Sequence, residues 1–285
     1  MGGETEPSLP LREMGLKQSS IFSFFSQINQ LSSNKDLLLQ LTKREIAAKY
    51  RQSLLGLSWS VIEPVLLAIT YYFLFVILRG NSDPMYAVWI LLGVLTWGCF
   101  SKTTLGVVSS LSTNSSTIQA VYFPRVIFPC VAMLSNVRIT LLSSLVIIPI
   151  MIVAELSPTI YLVLVPVAIF MSGVLAFGVG MMFAPLNCIN RDFEHLFRFI
   201  TRAGFFLSPV MWTIDLVATK RGLISEFVMY NPMVVPLTLI RDGVAGNPPS
   251  IDLFWISYSI LFTVISWVIG SYIFERNQAA AVKYL

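Results

Sequence analysis

Two charged side chains set inside otherwise apolar runs are the residues of this chain most able to do chemistry. Glu63, followed by Pro64, lies early in a run that ends near Arg79, and Arg138 lies well inside another. An ionised group at membrane depth is costly, so its retention points to a pathway, a partner or a substrate. Glu63 either serves such a path or pairs with Lys49 or Arg51 at the interface. If the helix carrying it starts at Phe128, Arg138 lies about 15 Å deep at about 1.5 Å per residue. There it faces a water-filled channel or an acidic partner. A later start, which Pro129 permits, lets it snorkel to the surface instead.

Catalysis has no comparable candidate. The single histidine, His195, has no cysteine or serine at a supporting spacing. Cys99, Cys130 and Cys188 sit in or beside apolar stretches without a CxxC pair, as small hydrophobes rather than a disulfide or metal set. The acidic residues are scattered, which argues against the rival reading of an integral membrane lipid or glycosyl-transfer enzyme. No G-x-x-x-x-G-K-[ST] occurs, so no cofactor is expected on this chain. If transport costs ATP, the nucleotide and its Mg belong to a separate ATPase subunit.

The elements that carry these residues follow from composition. The chain is 55% hydrophobic and 12% charged, against roughly 25% charged in soluble domains. It reads as an all-α integral membrane protein, because open strands leave backbone groups unpaired in lipid. Apolar stretches predict six transmembrane helices over about 57–78, 85–110, 127–154, 156–188, 197–214 and 253–274. The net charge of +4 is spread along the loops, and no nucleic acid is expected as a partner. No apolar core with a small-residue cleavage site marks a signal peptide near the N-terminus.

Lys and Arg fix the orientation. With the N-terminus inside, thirteen of the 19 basic residues are cytoplasmic; Arg79, Lys220, Arg221 and Arg241 fall outside. Both termini are therefore expected in the cytoplasm. The organisation is a cytoplasmic N-terminal extension at 1–33, a cytoplasmic interface helix at 34–56, a permease domain at 57–274 and a cytoplasmic tail at 275–285. Between helices 5 and 6, the apolar run 233–240 is too short to cross about 30 Å of hydrocarbon. Asn231-Pro232 and Pro236 interrupt it, which predicts a re-entrant helix pair dipping into the outer leaflet.

Six short motifs occur in order over residues 35–276. They are Lys49-Tyr50-Arg51-Gln52-Ser53-Leu54-Leu55-Gly56-Leu57-Ser58-Trp59 with Glu63-Pro64, Val121-Tyr122-Phe123-Pro124-Arg125, and Asn190-Arg191-Asp192-Phe193-Glu194-His195. Phe206-Leu207-Ser208-Pro209-Val210, Tyr230-Asn231-Pro232-Met233 and Phe274-Glu275-Arg276 complete the set. In these the chain resembles the permease subunits of ABC polysaccharide exporters, which move O-antigen, capsule and teichoic acid. The resemblance implies a homodimer in the bacterial inner (plasma) membrane, an ATP-binding cassette ATPase dimer beneath it, and a channel for an undecaprenyl- or other lipid-linked glycan. An ABC exporter of drugs or lipids is the rival cargo class.

The resemblance also distributes roles. It places the first and fifth helices at the channel wall, where Trp59, Tyr72, Phe206 and Trp212 would stack on sugar faces, with Arg138 as a further channel residue. Arg125 either anchors at the interface or meets a diphosphate headgroup at the cytoplasmic entrance. Lys43, Arg44, Lys49 and Arg51 of the interface helix, Ser115 and Ser116 of the 111–123 loop, and Arg191 and Asp192 are the ATPase-coupling residues. For that last pair a local ion pair, or an N-cap by Asp192, is the plainer alternative.

Overall fold

The computed structural model describes residues 23–79, 84–120, 124–212 and 228–281, and they are almost entirely helical. Five stretches are long and apolar enough to cross a membrane: Gly56–Leu74, Met85–Val108, Ile127–Val153, Ile160–Ile189 and Leu253–Ala281. The helices that carry them are α3 (Trp59–Arg79), α4 (Pro84–Val108), α7 (Ile127–Ser143) continued through a 3-10 turn into α8 (Ile147–Val153), α9 (Leu164–Ile189) and α12 (Leu253–Ala281).

The remaining helices flank them. These are α1 (Ser23–Ser33), α2 (Lys35–Lys49), α5 (Ser110–Thr113), α6 (Ser115–Ala120), α10 (Asp192–Leu207) and α11 (Val234–Ala245).

The core forms around α9, which packs against α4, α7, α11 and α12. Between α9 and α12 the backbones touch. A Cβ on Gly270 would lie 2.5 Å from the Gly178 carbonyl oxygen, and one on Gly178 would lie 2.8 Å from the Trp267 nitrogen. Such close approach is how helices gain contact area where lipid supplies no hydrophobic drive.

The expected interface helix is shorter than 34–56. α2 ends at Lys49 and lies along α7. Gln52 and Gly56, with φ of 64° and 51°, then turn the chain into a 3-10 turn at Gly56–Ser58 before α3 begins. The N-terminal extension contributes α1, whose Gln27 Nε2 donates to the Ser271 carbonyl of α12 at 3.1 Å. The tail is helical through Ala281 as a continuation of α12. The 111–123 loop is helical as α5 and α6; Val121, Tyr122 and Phe123 lie outside the described residues.

In place of an apolar helix over 197–214 stands α10, which begins five residues earlier and stops at Leu207, where Ser208-Pro209 turns the chain. Of the re-entrant pair, α11 is described; it ends on Gly246 in the left-handed conformation that closes helices. The partner segment, 213–227, lies outside the described residues.

Candidate substrate cavity and its cytoplasmic approach

A cavity of about 640 Å³ opens between α3, α4, α7 and α10. Its charged wall is built by Glu63 of α3, Lys102 of α4, and Arg198 and Arg202 of α10. Lys102 Nζ donates to Glu63 Oε2 at 2.7 Å, with both side chains about half exposed to the cavity. Arg198 pairs with Glu194 one turn earlier. The expected partners of Glu63, Lys49 and Arg51, lie elsewhere. Lys49 is engaged with α7 instead, while α4 runs beside α3 and brings Lys102 level with the carboxylate.

Further along α3 and α10 the lining is aromatic. Tyr71 and Phe205 sit with ring centroids 5.2 Å apart, and Phe205 and Phe206 stand edge to face at 5.3 Å. Trp97 is buried behind them, its Nε1 donating to the Thr201 carbonyl at 3.1 Å. Gly204 makes room for it, since a Cβ there would lie 2.9 Å from Trp97 Cη2.

A second cavity of about 630 Å³ lies under α2, walled by α4 to α7, and shares Lys102, Leu105, Asn136 and Ile139 with the first. Arg44 and Lys49 line it from α2. Lys49 Nζ donates to Asn136 Oδ1 at 2.9 Å and to Ser135 Oγ at 3.4 Å, and lies 3.7 Å from Glu45. Burial holds this ammonium below its ordinary pKa, with Lys102 adding to the shift and Glu45 opposing it.

A family model described as ABC-2 type transporter matches residues 36–244. The chain belongs to the ABC-2 type transporter family. Its similar relatives include an O-antigen export system permease protein of Klebsiella pneumoniae, 28% identical over 246 residues that span 85% of this chain and 92% of the relative. Another, from Myxococcus xanthus, is 27% identical and covers 74% and 81%. This ABC-2 chain is accordingly a transporter permease rather than an enzyme, and membership implies an ATPase partner.

Of the residues expected in an ABC-2 channel, Phe206 lines the first cavity. Trp59 stands 45% exposed at the start of α3, outside both cavities, and Tyr72 packs half-buried beside Tyr71. Trp212 closes the turn after α10, its Nε1 donating to the Phe206 carbonyl at 3.4 Å. Arg138 lines neither cavity. Half-buried, it shares an outward row with Leu142 of α7 and Leu145 of the 3-10 turn that follows, both exposed. Arg125 Nη1 donates to the Gln278 carbonyl at 3.1 Å, tying the start of α7 to the end of α12.

Of the residues expected to couple to an ATPase, Lys43, Arg44, Arg51, Ser116, Arg191 and Asp192 are exposed and Ser115 is half-buried. Asp192 does not cap α10. Arg191 takes the cap position, the Asp192 amide donates to Asn190 Oδ1, and the Glu194 amide donates to Asn187 Oδ1, both at 3.0 Å. Amides placed just before the helix satisfy its free N–H groups without a carboxylate.

Sequence reasoning missed Lys102, Asn136, Tyr71, Phe205, Arg198 and Arg202. The intramembrane charge of Lys102 was the available signal. Its partner lies 39 residues away, a distance no periodicity spans.

Proposed function

We propose that this chain is the membrane half of an ATP-driven exporter that moves a lipid-linked polysaccharide out of the bacterial cytoplasm. Two copies form the path, and an ATPase dimer beneath them binds ATP and Mg. The observation that carries this is the first cavity, whose lining joins Lys102, Arg198 and Arg202 with Tyr71, Phe205 and Phe206. Cations suit the phosphates of a lipid carrier. Aromatic faces suit sugar rings, which stack on them without a fixed hydrogen-bond code and so can slide. The O-antigen permeases similar to this chain support the same cargo class.

We infer six crossings. Gln27 contacts Ser271 in the C-terminal half of α12, which supports a reading with both termini on the cytoplasmic side. Five crossings would separate them. The sixth falls to α10 and the turn after it, since a 16-residue helix spans only about 24 Å. On this topology the arriving force acts on α2, α5 and α6, which line the second cavity, and ATPase closure shifts α3 and α10 around the first.

Co-purification with an ATPase from the same operon, followed by hydrolysis assays in vesicles, tests the assignment. Lipid-linked glycan is expected to stimulate hydrolysis and to be carried across the membrane. Stimulation by small lipophiles alone would overturn the polysaccharide cargo and favour the drug or lipid class.

A further inference from the structure

The two cavities share four lining residues, and one of them is a buried amide. Asn136 is buried, 6% exposed, in the middle of α7. Its Oδ1 accepts from Lys49 Nζ of α2 at 2.9 Å, and its Nδ2 donates to the Lys102 carbonyl of α4 at 3.1 Å. From that same residue the Lys102 ammonium reaches Glu63 of α3. Four helices from different parts of the chain thus converge on one carboxamide and the lysine beside it. Gly106 leaves the space this needs, because a Cβ there would stand 3.3 Å from Asn136 Nδ2.

The chemistry of the position is narrow. A carboxamide offers an acceptor at one end and a donor at the other. Asp would keep the acceptor for Lys49 but set a negative oxygen against the Lys102 carbonyl, and Leu would serve neither partner. The Lys49 bond is charge-assisted and therefore the stronger of the two. α2 has few other polar ties to the membrane helices among the described residues, so a displacement of α2 reaches the cavity wall chiefly at this point.

We propose that Asn136 is the positioning residue through which α2 sets the place of Lys102, and with it the Lys102–Glu63 pair, in the wall of the substrate cavity. This rests on the exporter assignment above, in which α2 receives force from the ATPase. When α2 is displaced, Lys49 draws on Asn136, and the α4–α7 contact that separates the two cavities loosens. A polar bridge that only held helices together would contribute to stability alone; this one also sets how much cargo moves per ATP.

The test uses the complete permease–ATPase complex in vesicles, with lipid-linked glycan as cargo, and reads cargo moved per ATP hydrolysed. Asn136→Ala and Lys49→Met are each expected to lower that ratio on the order of ten-fold, within the range of ordinary coupling energies. ATP hydrolysis stays at the wild-type rate, and the melting midpoint falls only as far as the loss of one buried hydrogen-bond partner requires. The double variant is no worse than either single one, because both act through one contact, and Lys49→Arg restores most of the ratio.

A wild-type ratio in Asn136→Ala overturns the proposal. So do hydrolysis, transport and melting midpoint falling together, or additive losses in the double variant. Should Asn136→Ala fail to assemble, Lys49→Met against Lys49→Arg reads the same contact from α2. If the wild-type complex carries a different lipid cargo, the polysaccharide assignment falls, while the ratio measured with that cargo still decides the role of Asn136.

Discussion

Arg241 holds the turn that sets Phe206 in place. Its guanidinium, in a residue 7% exposed, donates to the carbonyls of Val210 at 2.8 Å, Trp212 at 3.2 Å and Trp89 at 3.4 Å. Tyr86 donates to the Met211 carbonyl between them. Asn231 Nδ2 grips Ser208 Oγ at 2.7 Å from the other side. The same Val210 carbonyl that Arg241 binds would lie 2.5 Å from a Cβ on Gly93, so α4 must be bare there. Arg241→Met leaves buried carbonyls without a donor, at about 1–3 kcal/mol each. Gly93→Ala forces the turn off α4 at about 1–3 kcal/mol. Both are expected to lower the melting midpoint in detergent and to weaken transport by displacing Phe206; unchanged melting in both would refute the clamp. Charge counting places Arg241 among outer loop cations, because its partners are backbone carbonyls that no side-chain pattern reveals. Ser208-Pro209 and Asn231-Pro232 stand out in the sequence as motifs, and the bond between Ser208 and Asn231 gives them one structural purpose.

At the scale of elements, the spans were legible because a long apolar run in lipid has only one regular form open to it. Helix ends were less so. The segment 50–58 joining α2 to α3 holds no Pro, Asn or Asp, yet the chain turns at Gln52, where a positive φ in a non-glycine residue leaves no mark in composition. This turn decides which basic residues can meet an ATPase. Lys49 is committed to α7, whereas Lys43 and Arg44 remain exposed on α2. Reversing both charges, Lys43→Glu with Arg44→Glu, is expected to leave the permease folded and to abolish most transport while ATP hydrolysis continues. Transport at the wild-type rate in that variant would remove α2 from the coupling path. The helical extent of α5 and α6, with Ser116 exposed at the tip, offers a second surface for the same contact.

For the whole molecule, crossing number and terminal placement are one question, because parity links them. α1 lies against α12 near Ser271, and Arg125, just before α7, binds Gln278, two turns further along α12. The N-terminal helix, the start of α7 and the end of α12 therefore lie together, and on the six-crossing reading all three are cytoplasmic. Asn247, just beyond the Gly246 cap of α11, precedes α12 at its opposite end and is exposed. Single cysteines at Asn29, Gln278 and Asn247, probed with a membrane-impermeant thiol reagent, read this arrangement directly. The native thiols Cys99, Cys130 and Cys188 are buried and give little background. Asn29→Cys and Gln278→Cys are expected to react only when the cytoplasmic face is open to the reagent, and Asn247→Cys only from outside. Labelling of Asn29→Cys and Gln278→Cys from opposite faces would make the crossing number odd. It would then take α10 out of the membrane, and with it the aromatic wall of the cavity.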